Sequence, residues 1–195
     1  MGNFTGMHGA LLLASLILAL AGPAQAQSAS ERIGACVACH GESGQSDVPQ
    51  VPSLGAQPSL YLLSQLVLFR ERVRAIEPMS EMLKGAPDDT LRAMADLLAQ
   101  LPAPKAAAAA DDSARIARAR ALIQEHRCNF CHNADFSGQD NVPRVAGQRE
   151  DYLLKALRGY KDQSRRAYEP QMADVVYPLS DANLADLAYF LARQP

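Results

Sequence analysis

No run of lysine and arginine occurs anywhere in this chain; 19 basic residues stand against 21 acidic ones, for a net charge of −2. Without a basic stretch there is no electrostatic footprint for nucleic acid. Long apolar runs are equally scarce. The longest, Leu11 to Ala21, has eleven residues, short of the roughly 20 that a membrane span needs, and nothing after it could cross a bilayer. Residues 27–195 show no convincing strand pattern, so sheet architectures are set aside. Cysteine and histidine number only four each, which makes their placement informative.

All four cysteines fall into two copies of one pentapeptide, Cys36-Val-Ala-Cys39-His40 and Cys128-Asn-Phe-Cys131-His132. Random placement of these residues would produce a single copy in roughly one chain in a thousand. Cys-x-x-Cys-His is the attachment pattern of c-type haem. Its two intervening residues let both thiols add to the vinyl groups on one porphyrin edge, while the next histidine turns its imidazole onto the iron. The competing uses are disulfides in an exported chain, a four-thiolate zinc site and a thioredoxin-like dithiol. None of them needs a histidine directly after the second cysteine, let alone twice. The expected cofactors are therefore two covalently bound haems, with Cys36, Cys39, Cys128 and Cys131 as thioether anchors and His40 and His132 as proximal iron ligands.

The apolar run at the N-terminus is followed by Gly22-Pro23 and then Ala24-Gln25-Ala26, a small-x-small cleavage pattern. Residues 1–26 are therefore expected to be a cleavable export signal, leaving Gln27 as the mature N-terminus. Residues 1–10 contain no Lys or Arg, so an uncleaved anchor is the alternative. Export agrees with haem attachment to thiols, and the compartment expected is a bacterial periplasm.

With the two haem motifs aligned, an internal repeat emerges. Pro52-Ser-Leu54-Gly-Ala-Gln57 faces Pro143-Arg-Val145-Ala-Gly-Gln148, Tyr61-Leu62-Leu63 faces Tyr152-Leu153-Leu154, and Glu77-Pro78 faces Glu169-Pro170. Two lobes are expected, over residues 27–100 and 114–195, joined by a Pro- and Ala-rich linker at residues 101–113. The alanines from Ala106 to Ala110 have the option of extending the next helix. Each lobe reads as helical. Leu62, Leu66 and Phe69, and again Leu153, Leu157 and Tyr160, sit at i, i+4 and i+7 on a middle helix. Leu91, Met94, Ala95 and Leu98 match Leu184, Leu187, Ala188 and Leu191 on a last helix. Pro58 suits a first helical turn and Ser180 an N-cap. Segments 28–35 and 114–124 favour helix ahead of each cysteine pair. Lobes of this size bury little apolar surface, so each is expected to fold poorly without its porphyrin.

The second lobe has one methionine, Met172, and its spare histidine, His126, lies too close to Cys128 to reach the opposite haem face. Met172 is thus the expected distal ligand. In the first lobe Met79 follows Glu77-Pro78 as Met172 follows Glu169-Pro170, and each stands nine residues before the aspartate of its last helix, Asp88 or Asp181. Register selects Met79, with Met82 in reserve, while Met94 belongs to core packing. His8 lies in the export signal. His/Met ligation fills all six iron positions, which suits an electron carrier rather than an enzyme, and the thioether raises the reduction potential. Pro52 and Pro143, twelve and eleven residues after their histidines, are candidates to supply the carbonyl that orients each imidazole.

The tandem Cys-x-x-Cys-His lobes, the Pro-x-Leu/Val-x-x-Gln-x-x-x-Tyr-Leu-Leu run and a methionine seven residues before Leu179-Ser180-Asp181 resemble the periplasmic dihaem cytochromes of the c4 type. The resemblance covers nearly all of the mature chain. It implies an all-α fold of two tandem class I cytochrome c domains, His40/Met79 and His132/Met172 ligation, and electron transport in a respiratory chain. The implied partners are redox proteins: a quinol-oxidising complex or dehydrogenase on one side and a membrane oxidase on the other. No small-molecule substrate is implied, and peripheral membrane association is compatible with the role. Two departures stand out: Ala86-Pro87-Asp88 replaces Leu-Ser-Asp in the first lobe, and His132 precedes Asn133 where glycine is usual. A peroxidase-like haem enzyme with one open iron is the contrasting reading. Charge is divided unevenly, with six basic against nine acidic residues in the mature first lobe and thirteen against twelve in residues 105–195.

Overall fold

The computed structural model describes residues 1–2, 28–108, 112–165 and 169–195. The segment expected to be an export signal, apart from its first two residues, and His8 within it lie outside the described residues. Nine helices occur among those described: α1 (Ala29–His40), α2 (Ser59–Arg70), α3 (Glu77–Leu83), α4 (Asp88–Ala99), α5 (Ser113–Glu125), α6 (Cys128–His132), α7 (Glu150–Lys161), α8 (Pro170–Val176) and α9 (Asp181–Leu191). The sole β pairing among described residues is an isolated bridge between Gln139 and Val142, so the fold is all-α.

Local chemistry starts these helices. Ser28 caps α1 in a capping box with Glu31, and Ser180 caps α9 in the same way with Asn183. Each box satisfies orphan amides of a first turn. Asp112 accepts from Arg115 N at the start of α5. Pro78 and Pro170 open α3 and α8, where the missing N–H costs nothing. Pro58 sits one position earlier than a first-turn proline, at the N-cap of α2. Ala106 to Ala108 do not join the following helix, which begins only at Ser113.

Two separate cores result. In one, Leu62, Leu66 and Phe69 of α2 pack with Leu83 and with Leu91, Met94, Ala95 and Leu98 of α4. In the other, Leu153 and Leu157 of α7 pack with Ala119, Ile123, Val176 and the α9 residues Leu184, Leu187, Ala188 and Leu191. The apolar stripes at helical spacing thus face inward in both copies. Residues 102–108 run between the cores without helix, where Lys105 N donates to Gln45 Oε1 at 3.1 Å and Ala107 N to the Ala192 carbonyl at 2.8 Å.

Candidate haem-binding sites

In the first lobe a single helix, α1, carries Cys36, Cys39 and His40. Positions i, i+3 and i+4 share a helix face, so both thiols and the imidazole lie on one side. Gly41 ends the helix at φ 82°, its N–H bonded to the Val37 carbonyl at 2.9 Å. A side chain there would collide with the Gln45 carbonyl. The second lobe delivers the same residues differently. Helix α5 stops at Glu125, Arg127 turns left-handed at φ 52°, and α6 restarts for the five residues Cys128–His132. Asn133 then occupies the place of Gly41 at φ 67°. Its Nδ2 donates to the Gly138 carbonyl at 2.8 Å and to Ser137 Oγ at 3.1 Å, which offsets the steric cost of a side chain at positive φ. The absent glycine is therefore replaced by hydrogen bonds.

Each imidazole is held from behind. His40 Nδ1 lies 2.7 Å from the Pro52 carbonyl and His132 Nδ1 lies 2.9 Å from the Pro143 carbonyl. A carbonyl can only accept, so Nδ1 carries the proton and Nε2 keeps its lone pair for a metal. Burial lowers the pKa of both rings, against the opposing pull of these hydrogen bonds. The imidazoles are thus neutral at physiological pH, as iron ligation requires.

The cysteines are all free thiols. Burial pushes Cys36 and Cys128 above the ordinary thiol range. No group of three or more His, Cys, Asp or Glu among the described residues is arranged to hold a metal ion, so the two cysteine pairs do not converge as a four-thiolate zinc site would need. In the first lobe an open cleft of about 240 Å³ is lined by Cys36, Met79, Met82, Leu83 and Met94 together with Glu31 and Arg32. Met79 is half-buried against the first core, Met82 is 39% exposed and Met94 is buried. Met172 and Cys128 are both half-buried against the second core. Met79 and Met172 are each the third residue of a short helix, α3 and α8. His126 stays half-buried at the end of α5, beside Glu125.

Free thiols, imidazoles with Nδ1 committed and a thioether-lined apolar cleft fit a covalently attached porphyrin. The structure adds residues that had no assigned role in the sequence reading. Arg74 and Arg165 are buried where the lobes meet. Arg74 bonds Gln65 Oε1 at 2.6 Å and Tyr152 Oη at 3.2 Å, and the Arg165 guanidinium stands 4.9 Å from the centre of the Tyr160 ring. Burial raises the pKa of Tyr61. For Tyr152 burial acts upward too, but Arg74 and Arg165 overcome it and bring the phenol down to about 8. Positive charge concentrated here suits an anionic group such as a haem carboxylate. The signal was present in the repeat, since Tyr61 and Tyr152 share their register with Arg74 and Arg165, but sequence does not show that the two copies meet.

Comparison with known proteins gives a consistent result. The family model for cytochrome c matches residues 25–103. A protein of Thiomonas intermedia named thiosulfate dehydrogenase electron acceptor is 30% identical over 207 residues, covering 100% of this chain and 95% of that protein. The cytochrome c4 of Thiocapsa roseopersicina is 31% identical over 170 residues, covering 81% and 86%. The crystal structure of reduced recombinant cytochrome c4 from Pseudomonas stutzeri superposes with a TM-score of 0.75 at 24% identity, over 87% of this chain and 100% of that one.

Proposed function

The chain belongs to the cytochrome c4 family and is an electron-transfer protein with covalent haem c, not an enzyme; from that premise we propose an exported dihaem shuttle that accepts electrons from a periplasmic dehydrogenase. Its two domains occupy residues 27–100 and 114–195, with 101–113 as linker and residues 1–26 removed on export. When bound, each haem would supply one one-electron iron centre. Cys36 and Cys39, and Cys128 and Cys131, anchor the two porphyrins. His40 and Met79 would ligate the first iron, and His132 and Met172 the second.

The chain's own residues do the rest. The Pro52 and Pro143 carbonyls hold each imidazole in the tautomer that offers Nε2. The leucines of α4 and α9 exclude water from each core. With a histidine and a methionine committed to each iron, the bound haem would pass single electrons and leave no open position for a substrate. Among donors, a thiosulfate-oxidising dehydrogenase is favoured over a quinol-oxidising complex, with a terminal oxidase as acceptor. The observation that carries this choice is the relative named as an acceptor for thiosulfate dehydrogenase, which aligns along the whole chain.

The test is direct. Ferric protein is mixed with a purified thiosulfate dehydrogenase and thiosulfate, and the ferrous absorption bands are followed. Reduction of both haems at a rate that rises with dehydrogenase concentration is expected. A rate no faster than the enzyme-free control would remove this donor.

A further inference from the structure

The lobes are joined by a reciprocal pair of glutamines, and each ends on the peptide that supports the other lobe's histidine. Gln148 is buried, its Oε1 accepting from Ser53 N at 2.8 Å and its Nε2 donating to the Ser53 carbonyl at 2.9 Å. Gln57, equally buried, does the same in reverse: its Oε1 accepts from Arg144 N at 3.0 Å and its Nε2 donates to the Arg144 carbonyl at 2.8 Å. Ser53 N belongs to the peptide group whose carbonyl is that of Pro52, the acceptor for His40 Nδ1. Arg144 N likewise shares its peptide with the Pro143 carbonyl, the acceptor for His132 Nδ1. Two unbroken chains result: His40 to the Pro52–Ser53 peptide to Gln148, and His132 to the Pro143–Arg144 peptide to Gln57.

A peptide whose N–H donates a hydrogen bond has a more strongly polarised carbonyl, because linked bonds reinforce one another. A stronger acceptor behind Nδ1 makes Nε2 a more basic ligand, which favours ferric over ferrous iron and lowers the reduction potential. We propose that Gln148 is a positioning residue for the first-lobe haem and Gln57 for the second, so that each lobe tunes the potential of the other. Docking of the lobes is then part of how the two potentials are set, and any change at one lobe that shifts its glutamine is felt at the opposite iron. The coupling runs both ways by linkage. This rests on the dihaem His/Met reading, which the same samples check independently by haem mass and ferric spectrum.

The experiment is a redox titration of the full-length holoprotein with lobe-resolved detection, using the paramagnetically shifted haem methyl resonances. Gln148→Leu should raise the first-lobe midpoint and leave the second in place, and Gln57→Leu should do the converse. Gln148→Glu keeps an oxygen acceptor for Ser53 N–H, so its first-lobe midpoint should stay at or below that of the unaltered protein. Simple loss of lobe packing would treat both Gln148 variants alike. Should leucine separate the lobes, detected by small-angle scattering, the glutamate variant decides: a midpoint above the unaltered protein overturns the proposal. With the lobes still paired, a shift in the substituted lobe only, equal shifts in both, or none at all would overturn it too. If two haems with methionine ligation are present and the crossed pattern is missing, only the glutamine proposal falls.

Discussion

The two lobes share a repeat but hold their haem motifs to different degrees by protein contacts alone. In the first, α1 runs unbroken through Cys36, Cys39 and His40 and packs on α4 beside an open cleft. In the second, α5 forms a separate brace against α9, and the short α6 carries the motif. That brace is electrostatic as well as apolar. Asp186, with a side chain 7% exposed, accepts from Arg115 at 2.9 Å and Arg118 at 2.6 Å, while the Arg115 and Arg193 guanidiniums lie 4.1 and 3.6 Å from the centre of the Tyr189 ring. Phe136 meets Phe190 edge to face at 6.0 Å. Residues Asp186, Tyr189 and Phe190 of α9 are all buried, whereas only the Leu91, Met94, Ala95 and Leu98 stripe of α4 is. The same haem motif can thus sit on a lobe with an open cleft beside it or on one with a second source of cohesion.

The largest effect that would break this comparison is loss of a haem. Replacing Cys36 and Cys39 by Ala should remove one haem by mass and most of the first lobe's helical circular dichroism. The Cys128/Cys131 double variant should remove one haem yet keep more helix. Equal losses of helix in the two variants would show that the second lobe's brace adds nothing. Next in size, Met172→Ala should lose half of the weak red absorption band of Met-ligated ferric haem and admit cyanide at one iron. Met79→Ala should take the other half, and Met82→Ala should take none. An unchanged spectrum in Met172→Ala removes that residue as ligand.

Asp186→Asn sharpens the comparison within the second lobe. Its hydrogen bond with Arg118, opposed by burial and joined by Arg115, holds this carboxyl below the ordinary range. An acid whose folded pKa is depressed contributes stability above its unfolded pKa of about 4, lost as pH falls through the folded value. The variant should therefore be less stable by about 1–3 kcal/mol at neutral pH, with the difference in melting temperature shrinking as the pH is lowered below about 4. A constant difference across that range would mean that the ion cluster is not its source. Smallest of all is Asn133→Gly, which exchanges two side-chain hydrogen bonds for the backbone freedom that Gly41 has in the first lobe. Chemical denaturation should place it within about 1 kcal/mol of the unaltered protein.

Much of this was legible in the chain. The doubled motif and the repeat around it located the cysteines and histidines, and the i, i+3, i+4, i+7 leucines of the last helices are those that became buried. Ser180 caps as its position suggested, because capping depends on a few consecutive residues. The interruption at Arg127 was not legible, since nothing in 114–132 marks it with glycine or proline and an exposed arginine in the left-handed region leaves no local signature. Nor was the role of Gln57 and Gln148. They were visible as repeat partners, but the bonds they make connect residues 87 and 95 apart, and no local periodicity encodes a contact between lobes. Arg74 was missed for the same reason, its partner Tyr152 lying 78 residues away, and Arg165 because a basic residue reads as surface until its burial against the Tyr152 and Tyr160 rings is seen.

The central claim is that each lobe carries its own six-coordinate iron. Stepwise redox titration of the purified holoprotein, with mass measurement of attached haem and cyanide challenge on the same sample, tests it most directly. The account predicts two haems, two one-electron steps, the full red band in the ferric state and slow, weak cyanide binding at both irons. One haem, or rapid and tight cyanide binding at either iron, would contradict it.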